Sequence, residues 1–135
     1  MKVWFGCSSE HSSNLVMIGR FKELGDAAEA KEIITLLTEQ VRADEQAGLT
    51  KVGDGADRYT DGMLKLLEQA KIYSIGPGEL EQFVYDITIV VKTNELVLRT
   101  DEIDVSAFLK VLLDKGARVE VYSAHNYPGT EDQRG

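Results

Sequence analysis

The side chains best suited to chemistry lie close together near the start of the chain. Cys7, Glu10 and His11 fall within the polar stretch Cys7-Ser8-Ser9-Glu10-His11-Ser12-Ser13-Asn14, and His125 lies far downstream. A thiol beside an imidazole can act as a nucleophile with its base, and the same residues offer sulfur, oxygen and nitrogen donors to a metal. Their spacing matches no zinc motif, and a single cysteine with two histidines is a thin ligand set. They read equally as a strand-end cysteine beside surface histidines. Ser12 and Ser13 lack the turn context that presents a serine nucleophile. The sequence therefore calls for no metal and no cofactor, and it contains no catalytic motif.

Arg20 and Arg99 form a second group, each inside an apolar run that reads as a strand. On an open sheet face a guanidinium can hold a carboxylate or phosphate through paired hydrogen bonds. It can also pair across strands with Asp86 or Glu120. The candidate binding residues are thus Cys7, Glu10, His11, Arg20 and Arg99.

A third stretch, Gly53-Asp54-Gly55-Ala56-Asp57-Arg58, supplies hard oxygen donors from Asp54 and Asp57, with Asp61 beyond. A calcium-binding EF-hand loop needs oxygen ligands at alternate positions, and Ala56 and Arg58 break that alternation. No Gly-Lys-Ser/Thr follows, and the third glycine of a dinucleotide fingerprint is missing. The stretch reads as a turn-rich connector. Trp4, Tyr59, Tyr73, Tyr85, Tyr122 and Tyr127 suit a pocket or an interface, and suit a core or its rim equally well.

The elements that must position these residues centre on Phe83–Tyr122, read as strand, turn, strand, helix, strand. Ile87, Ile89 and Val91 alternate with Asp86, Thr88 and Val90, the period of a half-buried antiparallel strand. Thr93-Asn94-Glu95 is a turn, and Asn tolerates the left-handed backbone that tight hairpins need. Leu96 and Leu98 resume one face while Val97 and Arg99 take the other. Asp101 and Asp104 are N-cap candidates for a helix carrying Val105, Phe108, Leu109 and Leu112 on one side. Lys115 suits the negative end of that helix and Gly116 the left-handed residue after it. Val119 and Val121 begin the last strand.

Upstream, Val3–Phe5 and Leu15–Phe21 read as strands that could form a hairpin. Asp26 with Glu29 resembles an acidic capping box. Ala30, Ile33, Ile34, Leu37 and Val41 form one helical stripe that ends near Ala47-Gly48. Thr60 or Asp61 caps a further helix with Met63, Leu66, Leu67 and Ala70 facing inward, and Gly76-Pro77-Gly78 breaks the chain. Glu79–Gln82 reads as a single turn. The expected fold is α+β, an antiparallel sheet with helices on one face. Element order gives a ferredoxin-like βαββαβ core with an extra N-terminal strand and a helical insertion at about 49–82. Residues 1–125 form a single domain, and 126–135 are a flexible tail.

The chain has 135 residues, enough for one domain to bury roughly two-thirds of its unfolded surface. One cysteine excludes an intrachain disulfide and points to a reducing, cytoplasmic setting. No apolar run approaches the roughly 18 residues of a membrane span. Fifteen basic residues against twenty-three acidic ones, a formal charge of −8, argue against general nucleic-acid binding. The acidic balance suits solubility, and it also suits a basic protein partner. Two functions follow. The first is a protein-binding module, inhibitor- or immunity-like or homodimeric, using an edge strand or the acidic helix face of Glu29, Glu32 and Glu39. The alternative is a small-ligand-binding protein or enzyme using the open sheet face and the N-terminal polar loop.

Overall fold

The computed structural model describes residues 15–50, 58–102 and 104–123. In chain order these form β1 (Leu15–Arg20), α1 (Asp26–Gln46), α2 (Asp61–Ala70), a 3-10 helix (Pro77–Val84), β2 (Ile87–Lys92), β3 (Glu95–Thr100), α3 (Ser106–Asp114) and β4 (Arg118–Ser123). The strands make one sheet in the order β2-β3-β1-β4, with every neighbouring pair antiparallel. The α+β class with an antiparallel sheet is therefore as the sequence reads. The strand expected at Val3–Phe5, the loop holding Cys7, Glu10 and His11, most of the Gly53–Arg58 connector, and residues 126–135 lie outside the described residues.

One sheet face is the core. Met17, Leu96 and Leu98 are buried there beneath the helices, with half-buried Ile87, Ile89, Val91 and Val119 around them. Helix α1 covers this face because Ala27, Ala30, Ile33, Ile34, Leu37 and Val41 recur at helical spacing, and all are buried. Each fully buried large side chain contributes about 1.5–3 kcal/mol relative to an exposed one. Helix α3 adds Ala107, Phe108, Val111 and Leu112. Gly19 makes its close approach possible, since a Cβ there would meet the Leu112 side chain at 3.2 Å. The insertion is no satellite: Met63, Leu67, Ile72, Ile75 and Leu80 join the same core. The opposite face buries only a small separate cluster of Val16, Ile18 and Val97, with Tyr122 beside it.

Several local expectations are corrected. The N-cap of α1 is Gly25 without a side-chain cap, so Asp26 and Glu29 form no capping box; Glu29 instead lies 3.7 Å from the Lys115 ammonium. Neither Asp101 nor Asp104 caps α3, whose N-cap is Val105. The first-turn amide of Ala107 donates to Gln82 Oε1 at 2.7 Å, so the cap comes from the neighbouring 3-10 helix. That helix runs eight residues to Val84, beyond the single turn expected, and the strand after it starts at Ile87, not Phe83. Phe83 is drawn out of the strand because it seats edge-to-face on Phe108, with ring centroids 5.1 Å apart. In the β2–β3 hairpin the left-handed residue is Thr93, at φ 46°, not Asn94. Asn94 instead holds the loop after β1: its Nδ2 donates to the Phe21 carbonyl at 2.6 Å and its carbonyl accepts from Phe21 N at 2.9 Å. Thr60 caps α2 through Met63 N at 3.1 Å, and Gly116 takes the left-handed φ of 93° after α3, as the sequence reads.

Candidate functional site

Among the described residues, the half-buried and buried carboxylates Glu79 and Asp44 are tied into structural networks. Glu79 Oε1 accepts from Gly76 N at 2.8 Å and Lys110 Nζ at 2.9 Å, while Oε2 accepts from Ser106 Oγ at 2.7 Å. Burial alone would raise the Glu79 carboxyl. The hydrogen bonds from Ser106, Gly76 and Lys110 outweigh it and hold the pKa below the usual carboxylate value. Gln82 Nε2 donates to the same serine oxygen at 3.1 Å. This network locks the 3-10 helix to the start of α3. A second network surrounds Asp44, a buried carboxylate that accepts from Gln40 Nε2 at 2.9 Å and Thr60 Oγ1 at 2.7 Å, fastening α1 to α2. Sequence reasoning missed both. The Ser106–Lys110 spacing of four was visible, but Glu79 and Thr60 join only through tertiary contact.

On the open sheet face, Arg20 Nε lies 2.9 Å from Glu95 Oε2 and its Nη1 lies 2.7 Å from Glu120 Oε1. The hydrogen bonds that Arg20 donates to these two carboxylates raise the arginine pKa. Hydrogen bonds from Arg20 and from the Tyr122 hydroxyl lower that of Glu120. Arg99 shares that face but sits in register with Val16, four positions from Arg20 along β1. At about 3.3 Å per residue the two arginines stand roughly 13 Å apart, at opposite ends of the strand. They do not converge. Arg99 lines a recess of about 320 Å³ with Asp86, Thr88, Thr100 and Asp101. Among the described residues no three His, Cys, Asp or Glu side chains gather as a metal site. No described helix is long and apolar enough to cross a membrane.

The remaining feature is an edge. β2 pairs with β3 alone, and among the described residues no strand lies against its outer side. A two-residue turn closes on a pair that exchanges both main-chain hydrogen bonds, here Lys92 with Glu95. By alternation Val90 and Thr88 also bond inward, so Ile87, Ile89 and Val91 direct their N–H and C=O groups outward. Beside this edge a groove of about 600 Å³ opens between α1 and the sheet. Ile34, Phe83, Val84, Ile87 and Ile89 line it on the apolar side, with Lys31, Glu39 and Arg42 on the helix wall. Thr38 fixes the far wall, its hydroxyl lying 2.8 Å from the Ile34 carbonyl and 3.1 Å from that of Phe83. Tyr85 lies where the 3-10 helix hands over to β2. Burial first, then the charges of Asp104, Glu102 and Glu81, push its hydroxyl pKa up, so it stays a neutral donor.

A family model matches residues 1–134 of the chain. The chain belongs to DUF6375, a family of unknown function. No curated protein and no solved structure matches it. The geometry of the edge and its groove must therefore carry the functional reading of this family member.

Proposed function

We propose that this chain works by binding protein, presenting the outer edge of β2 and the adjoining groove as the contact surface. The observation that carries this reading is the edge itself: six residues, Ile-Thr-Ile-Val-Val-Lys, whose outward main-chain groups meet no strand among the described residues, with an apolar groove alongside. An exposed edge is a template for strand addition, in which main-chain bonds give affinity and the groove selects side chains. The chain's net charge of −8 suits a basic partner; Glu29 and Glu32 line a separate recess toward α2, while the helix wall of the β2 groove carries Lys31, Glu39 and Arg42. An inhibitor- or immunity-like role and homodimerisation both fall within this reading. The single cysteine supports a reducing, cytoplasmic setting as part of the same proposal.

The ferredoxin-like architecture belongs to the proposal as well. It is supported by the order β2-β3-β1-β4, in which β1-α1-β2 and β3-α3-β4 are interleaved parallel units, with α2 and the 3-10 helix inserted into the first.

The test is isolation of a tagged full-length chain from its native host at low and moderate salt, with mass spectrometry of what is retained and measurement of the chain's own oligomeric state. A stoichiometric protein, whether foreign or a second copy, is the expected result. A monomer that retains no protein at either salt would overturn the reading.

A further inference from the structure

The edge strand has a self-complementary order, and we infer that its occupant is a second copy of this chain, paired β2 to β2 across a two-fold axis at Ile89. The inference rests on the protein-binding reading and names its partner. The segment reads Asp86-Ile87-Thr88-Ile89-Val90-Val91-Lys92, an acid at one end, a base at the other and mainly apolar residues between. When two such strands run antiparallel about Ile89, Asp86 of each copy falls directly opposite the partner's Lys92, so the acid–base contact occurs twice. Ile87 falls opposite the partner's Val91 and Ile89 opposite its own equivalent, both on the helix-covered face. Thr88 falls opposite the partner's Val90 on the open face.

The main chain selects this alignment too. Ile87, Ile89 and Val91 are the residues whose main-chain groups point outward, and centring on Ile89 pairs these three with the partner's same three. The result is about six hydrogen bonds between copies. Shifting the axis to Thr88 or Val90 leaves one outward residue in each strand without an outward-pointing strand residue opposite it, and takes Asp86 and Lys92 out of direct opposition. The contact is isologous, as closed dimers require, and it joins two four-stranded sheets into one. It also gives a use to Val90, which is 49% exposed in the middle of the edge, and covers the end of the groove that Ile87 and Ile89 line.

Charge reversal tests this at little cost to the fold, because Asp86 and Lys92 are both exposed. The full-length chain is measured by sedimentation velocity across a concentration series, as wild type, D86K, K92D and D86K/K92D. A dimer is expected, with each single reversal weakening association about tenfold by setting like charges opposite each other twice. The double variant restores the opposite pairs and the wild-type affinity. Circular dichroism unchanged in all four, with melting temperatures compared at concentrations where every variant is monomeric and allowing K92D the small cost of facing Glu95, shows that the edge alone was altered. A dimer indifferent to these changes would overturn the β2 contact. A monomer that retains a different protein from its host would overturn the second copy and leave the protein-binding reading standing. A monomer that retains nothing would overturn both.

Discussion

Among the described residues the sheet has two edges, β2 and β4, and their sequences differ. On β4 the open-face positions are Arg118, Glu120 and Tyr122, and Glu120 is engaged by Arg20 and by the Tyr122 hydroxyl. Charge at alternate positions is a standard way to discourage another strand from adding to an edge. On β2 the equivalent positions are Thr88, Val90 and Lys92, so the only charge stands at the end. There is no proline, and the strand pairs with β3 without a bulge. Equivalent places in one sheet thus carry opposite instructions, which implies that pairing is opposed at β4 and permitted at β2.

The largest expected effect comes from undermining the wall beside the permitted edge. Phe83 is fully buried, packs edge-to-face on Phe108 and lines the groove next to β2. Phe83→Ala should cost about 3–5 kcal/mol in urea unfolding. Hydrogen exchange should then accelerate in β2 more than in β4, which rests on β1 and α3. Equal loss of protection at both edges would dissolve the distinction between them.

A smaller effect is expected at Glu79, which ties the same 3-10 helix to α3 through Gly76, Ser106 and Lys110. Glu79→Ala should cost about 1–3 kcal/mol. Its pH dependence has a definite sign. The folded pKa of Glu79 is lowered, so its stabilisation is present above the unfolded value of about 4.3 and is lost as pH falls through the folded value. The melting temperature of the wild type should therefore drop more steeply below about pH 4.3 than that of Glu79→Gln. Parallel profiles would remove Glu79 as a titrating clamp.

How far the sequence foretold these features depends on the range of the interactions involved. The stripe Ala30, Ile33, Ile34, Leu37 and Val41 declares α1 because helical period is local, and all five residues are buried. The alternation in Ile87–Lys92 declares a strand for the same reason. Whether that strand is central or an edge is set by the order β2-β3-β1-β4, which no local pattern encodes. The expected N-caps of α3 failed on the same ground. Asp101 and Asp104 have the right chemistry, yet Gln82, twenty-five residues before Ala107, reaches its amide first. Phe83 and Val84 look like strand residues by composition, and the ring contact with Phe108 overrides that preference. Of the candidate binding residues, Arg20 and Arg99 were placed on strands and shared a face, but their separation along β1 depends on register. Cys7, Glu10 and His11 lie outside the described residues.

A guard can also be moved onto the permitted edge. Val90→Glu gives β2 the charged alternate position that β4 has at Glu120. Val90 is exposed and its main chain bonds inward to β3, so stability should change by no more than about 0.5 kcal/mol. Self-association should be lost, because two carboxylates are added near the two-fold axis and each sits opposite the partner's Thr88 without a cation. Sedimentation velocity separates this outcome from an effect on folding.

The smallest effect should come from removing the guard on the other side. Glu120→Gln leaves Arg20 still held by Glu95 at 2.9 Å, and keeps a hydrogen-bond acceptor for the Tyr122 hydroxyl. Because this carboxylate is exposed to solvent, salt screens its attraction for Arg20, and the melting temperature should not move measurably. The informative readout is association at high concentration. With only Arg118 left as a charge along β4, oligomers larger than a dimer should become detectable by light scattering, since both edges can now accept a strand. If Glu120→Gln associates no further than the wild type does, charge is not what protects β4, and the difference between the two edges must come from their main-chain geometry.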